Sequence, residues 1–211
     1  GRASHSGYPK SGINAISSAA KLVVALEEMK FERINPFWKE EAEDALKPNR
    51  TGSLSVGQIW GGETLNVIPG ACNFRGNRRL IPNETVDEAK QQIESVIAKL
   101  TAEDPDLNAE IEYLTAVHGM NTPVDADVVK IVEAAIKDIG LAPEIGGSSG
   151  GFDARWIVEA LGIPFVSYGA GWNGPDGKLC LHTANEAITI EDLMGMTRGF
   201  AMIMLRCCGI S

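Results

Sequence analysis

Apolar residues Ile16, Ala19, Val23 and Leu26 recur at helical spacing and predict a first amphipathic helix over about Ile13–Lys30. The charged stretch FERINPFWKEEAEDALKPNR follows, a long surface excursion with a short helix inside it. In TGSLSVGQIW the period changes to two, with Leu54 and Val56 alternating against small polar residues, and this predicts a strand. A Gly-Gly-Glu turn leads into TLNVIPGACNFRGNRRLIP, a second extended run bent by its glycines. Thr85-x-x-Glu88 has the form of a capping box, and it opens a helix whose stripe is Ala89, Ile93, Val96 and Leu100. Ala109, Ile111 and Tyr113 then alternate with Glu110 and Glu112, as a half-buried strand does. With an extended stretch at the start, the order up to residue 117 is β-α-β-β-α-β. That is the ferredoxin-like arrangement, two helices on one face of a four-stranded antiparallel sheet.

The pattern changes after residue 117. Pro123 starts a helix with the stripe Val128, Val132, Ala135 and Ile139, stopped by Gly140. There follow GGSSGG, a short helix near ARWIVEAL, a buried strand in IPFVSYGAG, and a last helix from Ile190 with Glu191 and Asp192 at its N-terminus. Strands separated by helices predict α/β layering. The chain is therefore divided into an α+β domain, 1–117, and an α/β segment, 118–211.

Composition narrows the partners. The 211 residues carry a net charge of −9, with 44% hydrophobic and 22% charged residues, as in an ordinary globular protein. Acidity without basic clusters or basic–aromatic interleaving argues against nucleic acid as a partner. No apolar run is long enough to span a bilayer, and no membrane partner is expected. The four cysteines form no CxxC pair, and the adjacent Cys207 and Cys208 are poorly placed to bridge each other. They predict buried free thiols and a cytoplasmic protein.

Four stretches could carry chemistry: HSGYPKSG, GGETLNVIPG with NRRLIP, GGSSGGFDARW, and GAGWNGPDGKLCLHTANE. Each has a plain local explanation. His5 could be a loop residue, Asn66 a turn former, and Arg78 and Arg79 solvated charges at a strand edge. GGSSGG could be a flexible turn. Gly147-Ser148-Ser149-Gly150-Gly151 also fits the nucleophile-elbow template, but Asp153 follows Ser149 too closely to serve as the acid of a serine triad.

Taken together and in order, HSGYP-x-x-G-x-NAI, GG-x-x-x-NVIP, a strand arginine before P-x-E-T, GGSS…DAR and H-x-x-NE resemble one family. It is that of the dinuclear-zinc aminoacylases, acetylornithine deacetylases, succinyl-diaminopimelate desuccinylases and glutamate carboxypeptidases. The resemblance implies a ferredoxin-like lid that also dimerises, followed by the C-terminal segment of an α/β zinc-peptidase-like domain. It implies that His5 crosses the dimer interface to stabilise the oxyanion of a tetrahedral intermediate in the partner's active site. Asn66 would contact substrate alongside it, and Arg79 would grip the substrate's carboxylate. Gly147 and Ser148 match a turn whose backbone and hydroxyl meet substrate, although this loop is longer than the family's compact form. His182 matches a zinc ligand. The implied reaction is hydrolysis of the amide of an N-acyl amino acid or small peptide, by water activated between two zinc ions in a homodimer.

The remaining zinc ligands of that family lie ahead of the lid, in a His-x-Asp, a bridging Asp and a Glu-Glu pair. The three histidines here, His5, His118 and His182, are followed by Ser-Gly, Gly-Met and Thr-Ala. Glu27-Glu28 and Glu40-Glu41 occupy charged faces. The expectation is the C-terminal portion of a longer amidohydrolase, inactive by itself. The alternative is a non-catalytic dimerisation or binding module without a zinc-binding half.

Overall fold

The computed structural model describes residues 1–36, 51–147, 151–169 and 181–209. The described residues up to Gly119 form one compact unit, and those from Met120 onward form a second. The short helix expected after Pro36 lies outside the described residues.

In the first unit, β1 (Ser4–His5) is followed by a 3-10 turn and by α1 (Ala15–Glu27). The Asn14 side chain caps α1, accepting from the backbone N–H groups of Ile16 at 2.9 Å and Ser17 at 3.2 Å. The Ala15 N–H donates to the Pro69 carbonyl at 2.9 Å, which docks the first turn with Ala15 inward. The buried stripe is therefore Ala15, Ala19, Leu22 and Leu26. It is rotated from the sequence expectation, and Ile16 is left on the exposed side.

Next come β2 (Ser53–Gly61), β3 (Val67–Ile68) and β4 (Cys72–Arg79). β2 and β4 form one antiparallel ribbon, and β1 and β3 form another. α1 packs against both strands of the long ribbon. The ribbon carries an irregularity between Val56 and Gln58, with Val56 opposite Gly76 and Gln58 opposite Arg75. Gly57 is the extra residue of a bulge. Leu54 and Val56 therefore share a face with Ile59 and Gly61 beyond it, opposite Arg78, Gly76, Phe74 and Cys72.

α2 (Val86–Glu103) opens with the expected capping box. The Glu88 N–H donates to Thr85 Oγ1 at 3.2 Å, and Glu88 Oε2 accepts from the Thr85 N–H at 2.9 Å. Arg33 locks this end, donating through Nη1 and Nη2 to the two Glu88 carboxylate oxygens, both at 3.0 Å. The Arg33 fork, with the Thr85 N–H and hydroxyl, holds the Glu88 carboxyl at about 2.

Two expected strands, the alternating 109–115 run and the buried-looking IPFVSYGAG, are not paired as strands among the described residues. The 109–115 run lies along α2: Tyr113 donates its hydroxyl to Glu94 Oε1 at 3.0 Å, and Lys90 Nζ sits 4.9 Å from the Tyr113 ring centre. Burial and the Glu94 carboxylate push the Tyr113 phenol up to about 12. The second such run, IPFVSYG, belongs to the other unit. Its Phe165 satisfies its backbone on one side chain, because Thr122 Oγ1 donates to the Phe165 carbonyl at 2.6 Å and accepts from its N–H at 3.0 Å. In the second run a side chain from outside the segment takes the place of a neighbouring strand.

The second unit holds α3 (Asp127–Asp138), α4 (Ala154–Leu161) and α5 (Ile190–Cys207), with α3 packed on α5. The inward side of α3 is Val129, Ala135 and Ile136, flanked by the half-buried Val128, Val132 and Ile139. Tyr168 lies so close to α5 that a Cβ on Gly199 would collide with its ring. The fold is thus a mixed α and β one with small sheets and five α-helices among the described residues.

The thiols correct one expectation. Cys207 and Cys208 are exposed at the end of α5, and Cys72 is half-buried; all three are free. Cys180 lies outside the described residues. No helix among the described residues is long and apolar enough to cross a membrane.

Candidate functional site

His5 and Asn66 come together. His5 pairs with Val67 across the short ribbon, and the Ser6 N–H donates to the Asn66 carbonyl at 2.9 Å. His5 begins a tight turn closed by the Tyr8 N–H on its own carbonyl at 2.9 Å. Inside that turn the Gly7 N–H donates to His5 Nδ1 at 3.0 Å. Thr64 Oγ1 lies 3.2 Å from Asn66 Oδ1, in the turn leading into β3. Both candidate side chains are exposed.

The two arginines of NRRLIP have opposite surroundings. Arg78 is directed into the unit, where its side chain is 7% exposed and that of Glu84 is 4% exposed. Arg78 Nη2 donates to Glu84 Oε1 at 2.7 Å and to Gln92 Oε1 at 3.1 Å. Its guanidinium carbon lies 3.9 Å from the Phe31 ring centre. Glu84 Oε2 accepts from the Ile81 N–H at 3.0 Å, so both ends of this buried pair are hydrogen-bonded. Arg79, one residue on, is exposed. Its carbonyl accepts from Arg78 Nη1, and no side-chain partner holds its guanidinium among the described residues. The sequence singled out Arg79 but gave no role to Arg78 or Glu84. The signal was there in the Pro-x-Glu that follows two arginines at the end of a strand.

Arg79 and the His5–Asn66 edge sit at opposite ends of this unit. The start of α1 is bonded to Pro69, beside β3, while Glu27 near its end accepts from the Val56 N–H at 2.9 Å, opposite Gly76. The helix of 13 residues between them is roughly 20 Å long.

In the second unit, Gly147 is half-buried in an irregular segment, and Ser148 lies outside the described residues. His182 has a φ of 58°, in the left-handed region that few non-glycine residues adopt. Glu186 holds it there, accepting from the His182 N–H through Oε2 at 2.9 Å. Asn185, between them, has a φ of 64°. Strained backbone at an exposed histidine is a recurrent mark of a functional position. Arg155, in the turn into α4, has a buried Nε with no partner among the described residues, and its guanidinium lies 4.9 Å from the Trp156 ring centre.

A metal site must be built from several such donors. Among the described residues, no group of three or more His, Cys, Asp and Glu side chains is placed to hold a metal ion. Glu186, the carboxylate beside His182, is already engaged with backbone.

The chain thus holds a small α and β unit carrying His5 and Asn66, and a second, helical unit carrying His182. The comparisons make this specific: residues 1–105 match the M20 peptidase dimerisation domain, and the chain belongs to the family of metallopeptidases and deacylases built around it. An acetylornithine deacetylase of Myxococcus xanthus is 32% identical over 209 residues, covering 99% of this chain and 51% of the relative. A succinyl-diaminopimelate desuccinylase of Pelagibacter ubique is 24% identical, covering 97% of this chain and 48% of its own. The fold is shared with human carnosine dipeptidase 1, with a TM-score of 0.71 at 18% identity over 99% of this chain and 53% of that one. It is shared also with an M20 family metallo-carboxypeptidase of Sulfolobus solfataricus, with a TM-score of 0.67 at 20% identity over 97% and 55%. The chain spans about half the length of the curated relatives it matches.

Proposed function

We propose that this chain is the lid and C-terminal catalytic segment of a zinc-dependent amidohydrolase that removes an acyl group from N-acyl amino acids or cleaves small peptides. The observation that carries the reading is that the β1–β3 pairing, with the Ser6 N–H on the Asn66 carbonyl, brings His5 and Asn66 to neighbouring positions in the dimerisation domain. Both are side chains that hydrogen-bond oxygen, and neither lies near a second catalytic group of its own unit. Such a pair serves an active site completed elsewhere. In a homodimer formed through residues 1–117, that site belongs to the partner.

His5 donates to the oxygen of the attacked carbonyl, where negative charge develops only as the tetrahedral intermediate forms. A donor fixed at that position lowers the barrier without tightening the ground state. Asn66 steadies the substrate beside it. Arg79, at the other end of the unit, is free to fork onto a substrate carboxylate in the site of its own subunit. The turn at Gly147 and Ser148 offers backbone and hydroxyl to the substrate. His182 supplies one metal ligand, and the remaining donors come from the part of the enzyme that precedes the lid in the relatives. α4 and α5 expose Trp156, Ile157, Leu161, Ile190 and Met204 to solvent, consistent with helices that pack against that part. The free thiols of Cys72, Cys207 and Cys208 favour a reducing compartment, and the enzyme is assigned to the cytoplasm.

One observation favours the second reading, a non-catalytic dimerisation module: residues 1–105 match a dimerisation domain. The reading frame ahead of Gly1 separates the two. A His-x-Asp and a Glu-Glu pair in frame, with amidase activity in the product of that frame, support the enzyme. A frame without them sinks it.

A further inference from the structure

The hydrogen bonds around His5 and Asn66 fix which atoms these side chains offer to a ligand. A backbone N–H can only donate, so the nitrogen it meets, His5 Nδ1, carries no proton. A neutral ring in that setting has its single proton on Nε2. At Asn66 the Thr64 hydroxyl donates to Oδ1, which leaves both amide hydrogens on Nδ2 for a ligand. Among the described residues no other group bonds His5 Nε2 or Asn66 Nδ2. The Ser6 N–H to Asn66 carbonyl bond joins the residue after His5 to Asn66, just ahead of β3.

We propose that Gly7 and Thr64 are positioning residues that set His5 Nε2 and Asn66 Nδ2 as hydrogen-bond donors to ligand oxygen. The inference rests on the amidohydrolase reading and adds to it the groups that choose the tautomer and the amide orientation. The opposite tautomer would present a lone pair on Nε2 and repel the oxyanion it is meant to hold. Gly7 is suited to its place because the backbone must approach the ring closely; a Cβ there would lie 3.1 Å from Nδ1. The role is independent of the metal and is carried by the lid alone.

The direct test is nitrogen NMR of the uniformly ¹⁵N-labelled 211-residue chain at about pH 8.5, well above an ordinary imidazole's titration. The expected result is a through-hydrogen-bond coupling between the Gly7 amide nitrogen and His5 Nδ1, with the ring proton on Nε2. A ring proton on Nδ1, or an even mixture of tautomers, overturns the assignment to Gly7. For Thr64, the full-length enzyme with Thr64→Val should lose roughly 3- to 10-fold in kcat/KM, the size of one ordinary hydrogen bond, with an unchanged thermal midpoint. An unchanged kcat/KM overturns that half. Full activity in His5→Ala would sink the oxyanion reading itself, whereas a normal loss there combined with the wrong tautomer sinks only the positioning role.

Discussion

Arg78 and Glu84 form a hydrogen-bonded ion pair at 2.7 Å inside the lid, with both side chains almost wholly out of water. Removing one partner leaves the other as an uncompensated buried charge. Arg78→Ala or Glu84→Ala should therefore destabilise the chain by about 3–5 kcal/mol, measured by urea unfolding. The double replacement Arg78→Met with Glu84→Leu should recover most of that loss. Equal losses in the single and double variants would show that the pair is not the source.

Arg79 gives the contrasting case. Its exposed guanidinium takes no part in holding the lid, so Arg79→Ala should leave unfolding within about 0.5 kcal/mol of wild type. In the full-length enzyme the same change should raise KM by about 10- to 100-fold, the worth of a charged fork on a carboxylate. Arg79→Lys should recover only part, because a point charge cannot bind both oxygens. Steady-state kinetics on a carboxylate substrate and on its amide-capped analogue measure this, and the capped analogue should show no difference among the variants.

His5→Ala in the full-length enzyme should lower kcat by roughly 10²–10³-fold with little change in KM, the signature of a donor that acts on developing charge. Mixing His5→Ala subunits with subunits inactivated at a zinc ligand should restore up to a quarter of wild-type activity, if His5 works in trans. Absence of any restoration would place His5 in the site of its own subunit.

The 211-residue chain alone should bind zinc weakly and show no amidase activity, and light scattering should report a dimer. Tight stoichiometric zinc, or turnover, would contradict the division of ligands argued above. A clean monomer at micromolar concentration would count against a lid interface.

Acid should expose the lock at the start of α2. The Arg33 fork and the Thr85 cap depress Glu88 from an ordinary 4.5 to about 2 in the folded chain. A depressed carboxyl contributes stability that is fully present above its unfolded value and is lost as pH falls through its folded one. The loss therefore falls between about pH 4.5 and 2, and Glu88→Gln should flatten the stability profile there. An unaltered acid limb would show that this exposed pair is fully screened by solvent.

Much of this fold was legible along the chain because its strongest local signals are also its tertiary ones. Thr85 and Glu88 name their own helix start, and Ala89, Ile93, Val96 and Leu100 name the face beneath it. Tyr113 shows where alternation misleads, and Phe165 where an apolar run does. Either pattern identifies an extended segment but not its neighbour, and at Phe165 the Thr122 side chain occupies that place. His5 and Asn66 are 61 positions apart and meet only through strand pairing, which no local pattern displays. The buried pair of Arg78 and Glu84 was hidden for a different reason. Two adjacent arginines look alike in composition, and only the pleat decides which of them turns inward.

The bulge at Gly57 carries that point further, because it resets the phase of one strand in mid-course. Before it the β2 residues on the face of Leu54 and Val56 are even-numbered, and after it they are odd-numbered, while β4 opposite keeps a single phase throughout. The two halves of the ribbon are thus read in different frames. Gapless alignment of a relative lacking this residue would assign Gln58 and Trp60 to the face of Leu54 and Ile59 to the other face, the reverse of their true sides. Loss of this one glycine would act as a frameshift confined to the shape of a single strand.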